Sequence, residues 1–282
     1  MRIALSCRAY VTNSHGGMEN VCADRAEELA RQGHDVHVIT GGPPGISEHN
    51  GVTVCQVGGN PFAYSDELAA GSVAACKALR PDILHLDSFD CMRPWWKERP
   101  GNPQVVAMTY HGGGWGKVLT KWNAYRAGID DAPTLKVGDI MAEASCVQMT
   151  FDRVIAIGRW EQLLLQVTMC RLDARLVYNP IAPYFFEGPF CEPGKTFLMV
   201  TRDKIRGYPI AVAAATKADV RLDVAAGHAR EEMPAVYDGC KAVVLPTLRA
   251  DGFDLTVAEA LARRRPVIVA GTGSYLMDQY DG

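Results

Sequence analysis

The chain has no cysteines spaced as CxxC, no Lys/Arg-rich run of the kind that binds phosphate backbones, no stretch of about 18 or more apolar residues, and neither a GxGxxG nor a GxSxG glycine motif. Each absence removes a class of protein. The nine cysteines, at 7, 22, 55, 76, 91, 146, 170, 191 and 240, are odd in number and scattered. They read as buried or incidental thiols in a reducing cytoplasm rather than a disulfide framework. A net charge of −3 without a basic run predicts no nucleic-acid partner. Nothing predicts a membrane span, although peripheral membrane association stays open. The opening residues MRIALSCRAY read as a first strand and not as a secretory leader. Without GxGxxG the dinucleotide fingerprint is missing, and without GxSxG there is no serine-hydrolase elbow.

What is present is a soluble globular composition. Hydrophobic residues make up 48% and charged residues 22% of 282, enough for one large or two ordinary domains. Arg2 to Ser6 predicts a strand, Met18 to Gln32 a helix stopped by Gly33, and Asp35 to Thr40 a second strand. That β-loop-α-β unit belongs in a parallel α/β sheet. Alternation continues through strands at 52–57, 82–86, 105–109 and 153–157 and helices at 65–79 and 160–167, with three helical candidates between 117 and 148. A Pro/Gly-rich connector follows, from Asn179-Pro180 to Pro193-Gly194, and after it the alternation restarts. Strands at 196–201, 220–226, 242–245 and 266–270 flank helices at 209–218, 231–239 and 256–263. The expected architecture is two α/β lobes, 1–180 and 181–282, facing a cleft, the second reduced or cut short because no closing helix follows its last strand.

Four motifs sit at loops after strands. Gly16-Gly17-Met18-Glu19 opens the first helix, where glycines let a ligand approach and free N–H groups attract an anion. A tight turn with Glu19 favouring the helix dipole explains the same residues. His111, followed by three glycines, closes a buried strand, at the end where such sheets bind ligands; a lone histidine is more often structural. Arg202, Lys204 and Arg206 are three cations in a strand-to-helix loop, suited to a diphosphate or simply to solvent. Thr256-Val-Ala-Glu259 predicts a capping box, with Thr256 as the cap and Glu259 reaching back. A cap does not call for Asp251-Gly252-Phe253 just upstream. Arg263-Arg264-Arg265, after the apolar helical pattern, reads as cations at a helix C-terminus.

In order and placement these motifs resemble the retaining GT-B glycosyltransferases, family 4 in particular. That family has roughly EGFGL-x-x-x-EA-x-A-x-G-x-PV where this chain has Asp251-Gly252-Phe253-Asp254-Leu255, Glu259-Ala260-Leu261-Ala262 and Pro266-Val267. Gly16 to Glu19, His111, Tyr178-Asn179-Pro180, Arg202 with Arg206-Gly207, and Leu245-Pro246-Thr247 also fit. The resemblance implies transfer of a sugar, with retention, from a nucleotide-sugar donor to a sugar, glycan, lipid or small-molecule acceptor, without a metal or other cofactor. It implies that Arg202 and Arg206 neutralise the diphosphate and that Gly17, after Gly16, offers its amide to the same phosphates. Glu259 is implied to hold the ribose, Asp251 to lie by the transferred sugar, and His111 near sugar and acceptor. Backbone amides from Phe253 through Leu255 to Thr256 are implied to complete the anion site. Trp115, Trp122 and Tyr125, in a variable region, are candidates to stack on an acceptor or to pack.

This chain departs from the pattern at Asp251 (for Glu), Asp254 (for Gly), Arg206 (for Lys) and Pro180 (for Gly), and a strand-helix pair is missing between Gly227 and Glu231. Those departures motivate a second reading, a catalytically reduced GT-B protein that binds nucleotide sugar or glycan without turnover. A nucleotide-sugar epimerase of the same shape is a third.

Overall fold

The computed structural model describes residues 1–12, 16–61, 65–87, 103–131, 144, 147, 151–250 and 252–270, with the side chains of 113–115 excepted. Asp251, His15 and the Trp115 side chain therefore lie outside the described residues. Contacts divide the chain into two compact units, Met1–Gly114 with Lys136–Pro180, and Trp115–Leu135 with Ile181–Gly282.

The first unit is built on an eight-stranded sheet in the order β3-β4-β2-β1-β5-β6-β7-β8. Its strands are β1 (Arg2–Ser6), β2 (Asp35–Thr40), β3 (Gly45–His49), β4 (Val52–Gln56), β5 (Ile83–Leu86), β6 (Val105–Tyr110), β7 (Arg153–Ala156) and β8 (Arg175–Leu176). All pairings are parallel except the β3–β4 hairpin. Helices α1 (Gly17–Arg31), α2 (Asp66–Leu79) and α4 (Arg159–Thr168) connect them. Ile3, Leu5, Val36, Val38, Val52 and Val54 form a core with Cys22, Ala23 and Ala26 of α1. Each fully buried Val or Leu in such a core contributes about 1.5–3 kcal/mol. α2 starts where Ser65 Oγ accepts from the Leu68 amide at 3.1 Å.

Strand β3 was not predicted. Its residues are exposed nearly throughout, so no apolar alternation marks it; the antiparallel register to β4, from Gly45↔Gln56 to His49↔Val52, makes it a strand.

The second unit carries a four-stranded parallel sheet, β10-β9-β11-β12. The strands are β9 (Thr196–Met199), β10 (Leu222–Val224), β11 (Cys240–Leu245) and β12 (Val267–Val269). Helices α5 (Tyr208–Ala218), α6 (Met233–Asp238) and α7 (Leu255–Ala262) cover it, and α3 (Gly113–Arg126) lies almost wholly within this unit. Thr120 Oγ1 accepts from the Ala250 amide at 3.0 Å and Asn123 Nδ2 donates to the Leu248 carbonyl at 3.1 Å, tying α3 to the loop after β11.

Arg263 stands at the C-terminus of α7, as the sequence pattern places it, but its role goes further: Arg263 and Arg265 are buried, at 2% and 3% exposure. Arg263 pairs with Asp238 at 2.5 Å and donates to the carbonyls of Glu187 (2.6 Å) and Pro189 (3.0 Å). Arg265 donates to Cys191 O at 2.5 Å. Ala182 and Phe185 anchor the first half of the Pro/Gly-rich connector in the core, and guanidinium donors on its carbonyls fix the rest. The capping box fails. Asp254 caps α7, its Oδ1 accepting from the Thr256 amide at 3.0 Å, so Thr256 lies inside the helix and Glu259 points into the interior. Asp and Thr are both good caps, and the ion pair described below fixes Asp254 in that role.

Candidate active site

In the first unit the chemistry gathers at the carboxyl ends of β5 and β6, as expected of a parallel sheet. Asp87 follows β5, is fully buried, and donates its amide to Ser6 O at 2.9 Å. Its Oδ1 lies 2.5 Å from Arg25 Nη1, on α1, and 3.9 Å from His111 Nε2, one residue past β6. Arg25 Nη1 is also 3.1 Å from His85 Nε2, which lies 2.7 Å from Thr109 Oγ1. A guanidinium only donates, so His85 Nε2 accepts and the ring is neutral with its proton on Nδ1. Burial pushes the His85 pKa down to about 4, in agreement with that tautomer.

Burial alone would raise the Asp87 pKa, but the Arg25 guanidinium, helped by His111 and His85, outweighs it and holds the carboxyl well below the usual range. Among the described residues, Asp87 Oδ2 and His111 Nε2 are both buried without a hydrogen-bond partner. Such a pair has capacity left to take hydrogen bonds from something else.

Gly16, in extended conformation, precedes α1, and Gly17 is that helix's exposed first residue. The Gly17 amide is one of the initial N–H groups that a helix leaves without an internal partner. Glu19 folds back so closely that a Cβ on Gly16 would collide with its carboxylate.

In the second unit the loops after β9 and β11 lie together. The Leu248 amide donates to Ile205 O at 2.9 Å, and Gly207, at φ +86°, packs so that any Cβ would strike the Pro246 carbonyl. Arg202 and Lys204 are exposed, and Lys204 Nζ is 3.9 Å from Asp130 Oδ1. Arg206 behaves differently. Its Nη1 is 2.5 Å from Asp254 Oδ2, and that carboxylate is only 6% exposed. Asp254 thus joins Arg206 to the start of α7, beside the half-buried Phe253, Leu255 and Thr256.

Glu259, on the next turn of α7, is buried at 7% exposure. Its Oε2 accepts from Tyr237 OH at 3.1 Å, and Arg230 Nε stands 3.7 Å from Oε1. Burial raises its pKa to about 7 against the opposing pull of Arg230 and Tyr237. The Tyr237 hydroxyl is pushed well above its ordinary value by burial and by Glu259.

Of the residues singled out in the sequence, the structure joins Arg206 to Thr256 through Asp254 and sets Glu259 one turn further on. His111 stands with Asp87. Arg25, His85, Asp87, Thr109, Tyr237 and Arg230 were not foreseen. One signal existed: Arg25 falls among Val21, Cys22, Ala26 and Leu29, on the apolar stripe of α1, where a lone cation needs a buried partner.

Known proteins match in both sequence and fold. The model of Glycosyltransferase Family 4 matches residues 15–183, more than half of the chain. No curated protein sequence matches significantly. Sucrose-phosphate synthase from Thermosynechococcus elongatus is 18% identical, with TM-score 0.71 over 97% of this chain and 82% of that one. Anabaena HepE, solved with UDP-glucose, is 12% identical, with TM-score 0.67 over 98% and 82% of the two chains. The catalytic domain of starch synthase IV from Arabidopsis thaliana, solved with ADP and acarbose, is 12% identical, with TM-score 0.66 over 99% and 85%. At such identities the likeness establishes a shared fold. Motif order, two parallel α/β units and the family match lead to one assignment: the chain belongs to Glycosyltransferase Family 4, a glycosyltransferase of GT-B fold.

Proposed function

We propose that this protein transfers a sugar from a nucleoside-diphosphate donor to an acceptor, with retention and without a metal ion. One observation carries the reading: Arg206, from the loop after β9, and the Thr256 amide, at the start of α7, converge on one carboxylate, Asp254, with buried Glu259 one turn further along the helix. Breaking a sugar–phosphate bond leaves negative charge on the departing phosphate and positive charge on the anomeric carbon. Arg202 and Arg206 neutralise the leaving diphosphate, which is the task a divalent ion would otherwise perform. Glu259 accepts from the ribose hydroxyls. Gly17, His111 and Asp251 keep the roles that the resemblance assigns them. UDP-glucose and ADP in the solved relatives support a nucleotide donor.

The test is incubation with a panel of nucleotide sugars while released nucleoside diphosphate is followed. Slow release from one donor, lost in Arg202→Ala and in Glu259→Ala, supports transfer. The Arg206–Asp254 pair favours a second reading, a binding protein without turnover, because it neutralises one of the cations the reaction needs. Tight donor binding with no release in the presence of any acceptor would establish that reading.

A further inference from the structure

Two of the chain's departures from the family pattern, Asp254 and Arg206, are one structural unit. Nη1 of Arg206 contacts Oδ2 of Asp254 at 2.5 Å, while Oδ1 of the same carboxylate accepts from the Thr256 amide at 3.0 Å. The guanidinium and the α7 amide are the two kinds of group that the donor-site reading assigns to the diphosphate. Both oxygens of one side chain are therefore bound as two phosphate oxygens would be.

We propose that Asp254 is a tethered anion that fills the diphosphate subsite, so that a donor binds only by displacing it, and that this residue sets donor affinity. The inference rests on the donor-site reading above. Carboxylate and phosphate compete for the same charge-assisted hydrogen bonds, and these are the strong ones. A diphosphate entering without displacement would meet a buried like charge beside the guanidinium meant to receive it. Side-chain exposure fits such an exchange: Arg206 is 28% exposed, so an incoming phosphate can reach the guanidinium that the covered Asp254, at 5%, now holds. Asp254 also acts on the neighbouring carboxylate, since its charge is among the causes that raise Glu259. Its displacement thus favours the ionised form of the group that holds the ribose.

Isothermal titration of the full chain with UDP, ADP and GDP decides the matter. Asp254→Asn removes the charge while its side-chain oxygen still caps α7, and Asp254→Ser does so with a smaller cap. Thermal unfolding shows whether both variants fold. The expected result is that at least one nucleoside diphosphate binds the wild type and binds both variants about tenfold or more tightly. Unchanged or weaker binding in the variants, with the wild type binding, overturns the inference and leaves the donor-site reading standing; it would mean that Asp254 orients Arg206 for the donor. Failure of wild type and variants alike to bind any of the three overturns the donor-site reading and the inference together.

Discussion

Arg25 Nη1 and Asp87 Oδ1 stand 2.5 Å apart beneath the carboxyl end of β5, joining α1 to a carboxylate with no exposure to solvent. Breaking a pair of this kind leaves a buried charge without its partner, which costs about 3–5 kcal/mol. Arg25→Met should destabilise the first unit by that order. In the double variant Arg25→Met/Asp87→Leu no charge is stranded, so much of the loss should return. A double-mutant cycle by urea unfolding measures the coupling; additive single effects would contradict it.

Glu259 gives a pH signature. Its pKa is raised to about 7 in the folded protein, above its ordinary value near 4.5. Between these values the folded state binds the proton and the unfolded state does not, so stability falls as pH rises through this window. Glu259→Gln stays neutral and escapes the loss. At pH 8 the variant should gain on the wild type by on the order of 3 kcal/mol relative to pH 4. Denaturation midpoints at the two pH values provide the comparison, and an equal difference at both would exclude the raised pKa.

Tyr237→Phe removes the hydroxyl that donates to Glu259 Oε2 at 3.1 Å. This bond favours the ionised carboxylate, so without it the Glu259 pKa should rise further. The loss of stability with pH should then end at a higher pH than in the wild type. Denaturation across pH 5 to about 9 in both proteins reads the shift.

Gly207 combines left-handed backbone, at φ +86°, with direct contact to the Pro246 carbonyl. Gly207→Ala meets both obstacles, and the conformational strain alone costs about 1–3 kcal/mol. The second unit should unfold earlier, and Arg206, the preceding residue, should lose its geometry. Calorimetry and nucleoside-diphosphate binding read the two effects.

Arg263 holds the connector by donating to Glu187 O and Pro189 O and by pairing with Asp238. Arg263→Met leaves Asp238 with only Arg265, 3.7 Å away, and frees those carbonyls, an expected loss of about 1–3 kcal/mol. Limited proteolysis should then cut between residues 185 and 195 faster than in the wild type; an unchanged cleavage rate there would count against the clamp.

Apart from β3 and the two-residue β8, the strands of both sheets were legible in the sequence because hydrophobic alternation is local. β1 and β2 fall where the pattern placed them, and α1 ends just before Gly33. The loops after strands were legible too, since glycine and cation runs at those junctions stand out and their order carried the family resemblance. β3 was invisible because only its partner β4 makes it a strand.

Which residues meet was a different matter. Composition and spacing determined an α/β chain with three cations in the loop from Arg202 to Arg206 and an acid at Glu259. Only the tertiary structure decided that Asp254, rather than Thr256, caps α7, that Arg206 is already paired, and that Arg25 reaches Asp87 across 62 residues. Helix and strand periods are written in neighbouring residues, whereas a charge pair depends on where two separate strand ends come to lie. A cation on the apolar stripe of a helix signals that such a partner exists without saying which acid it is.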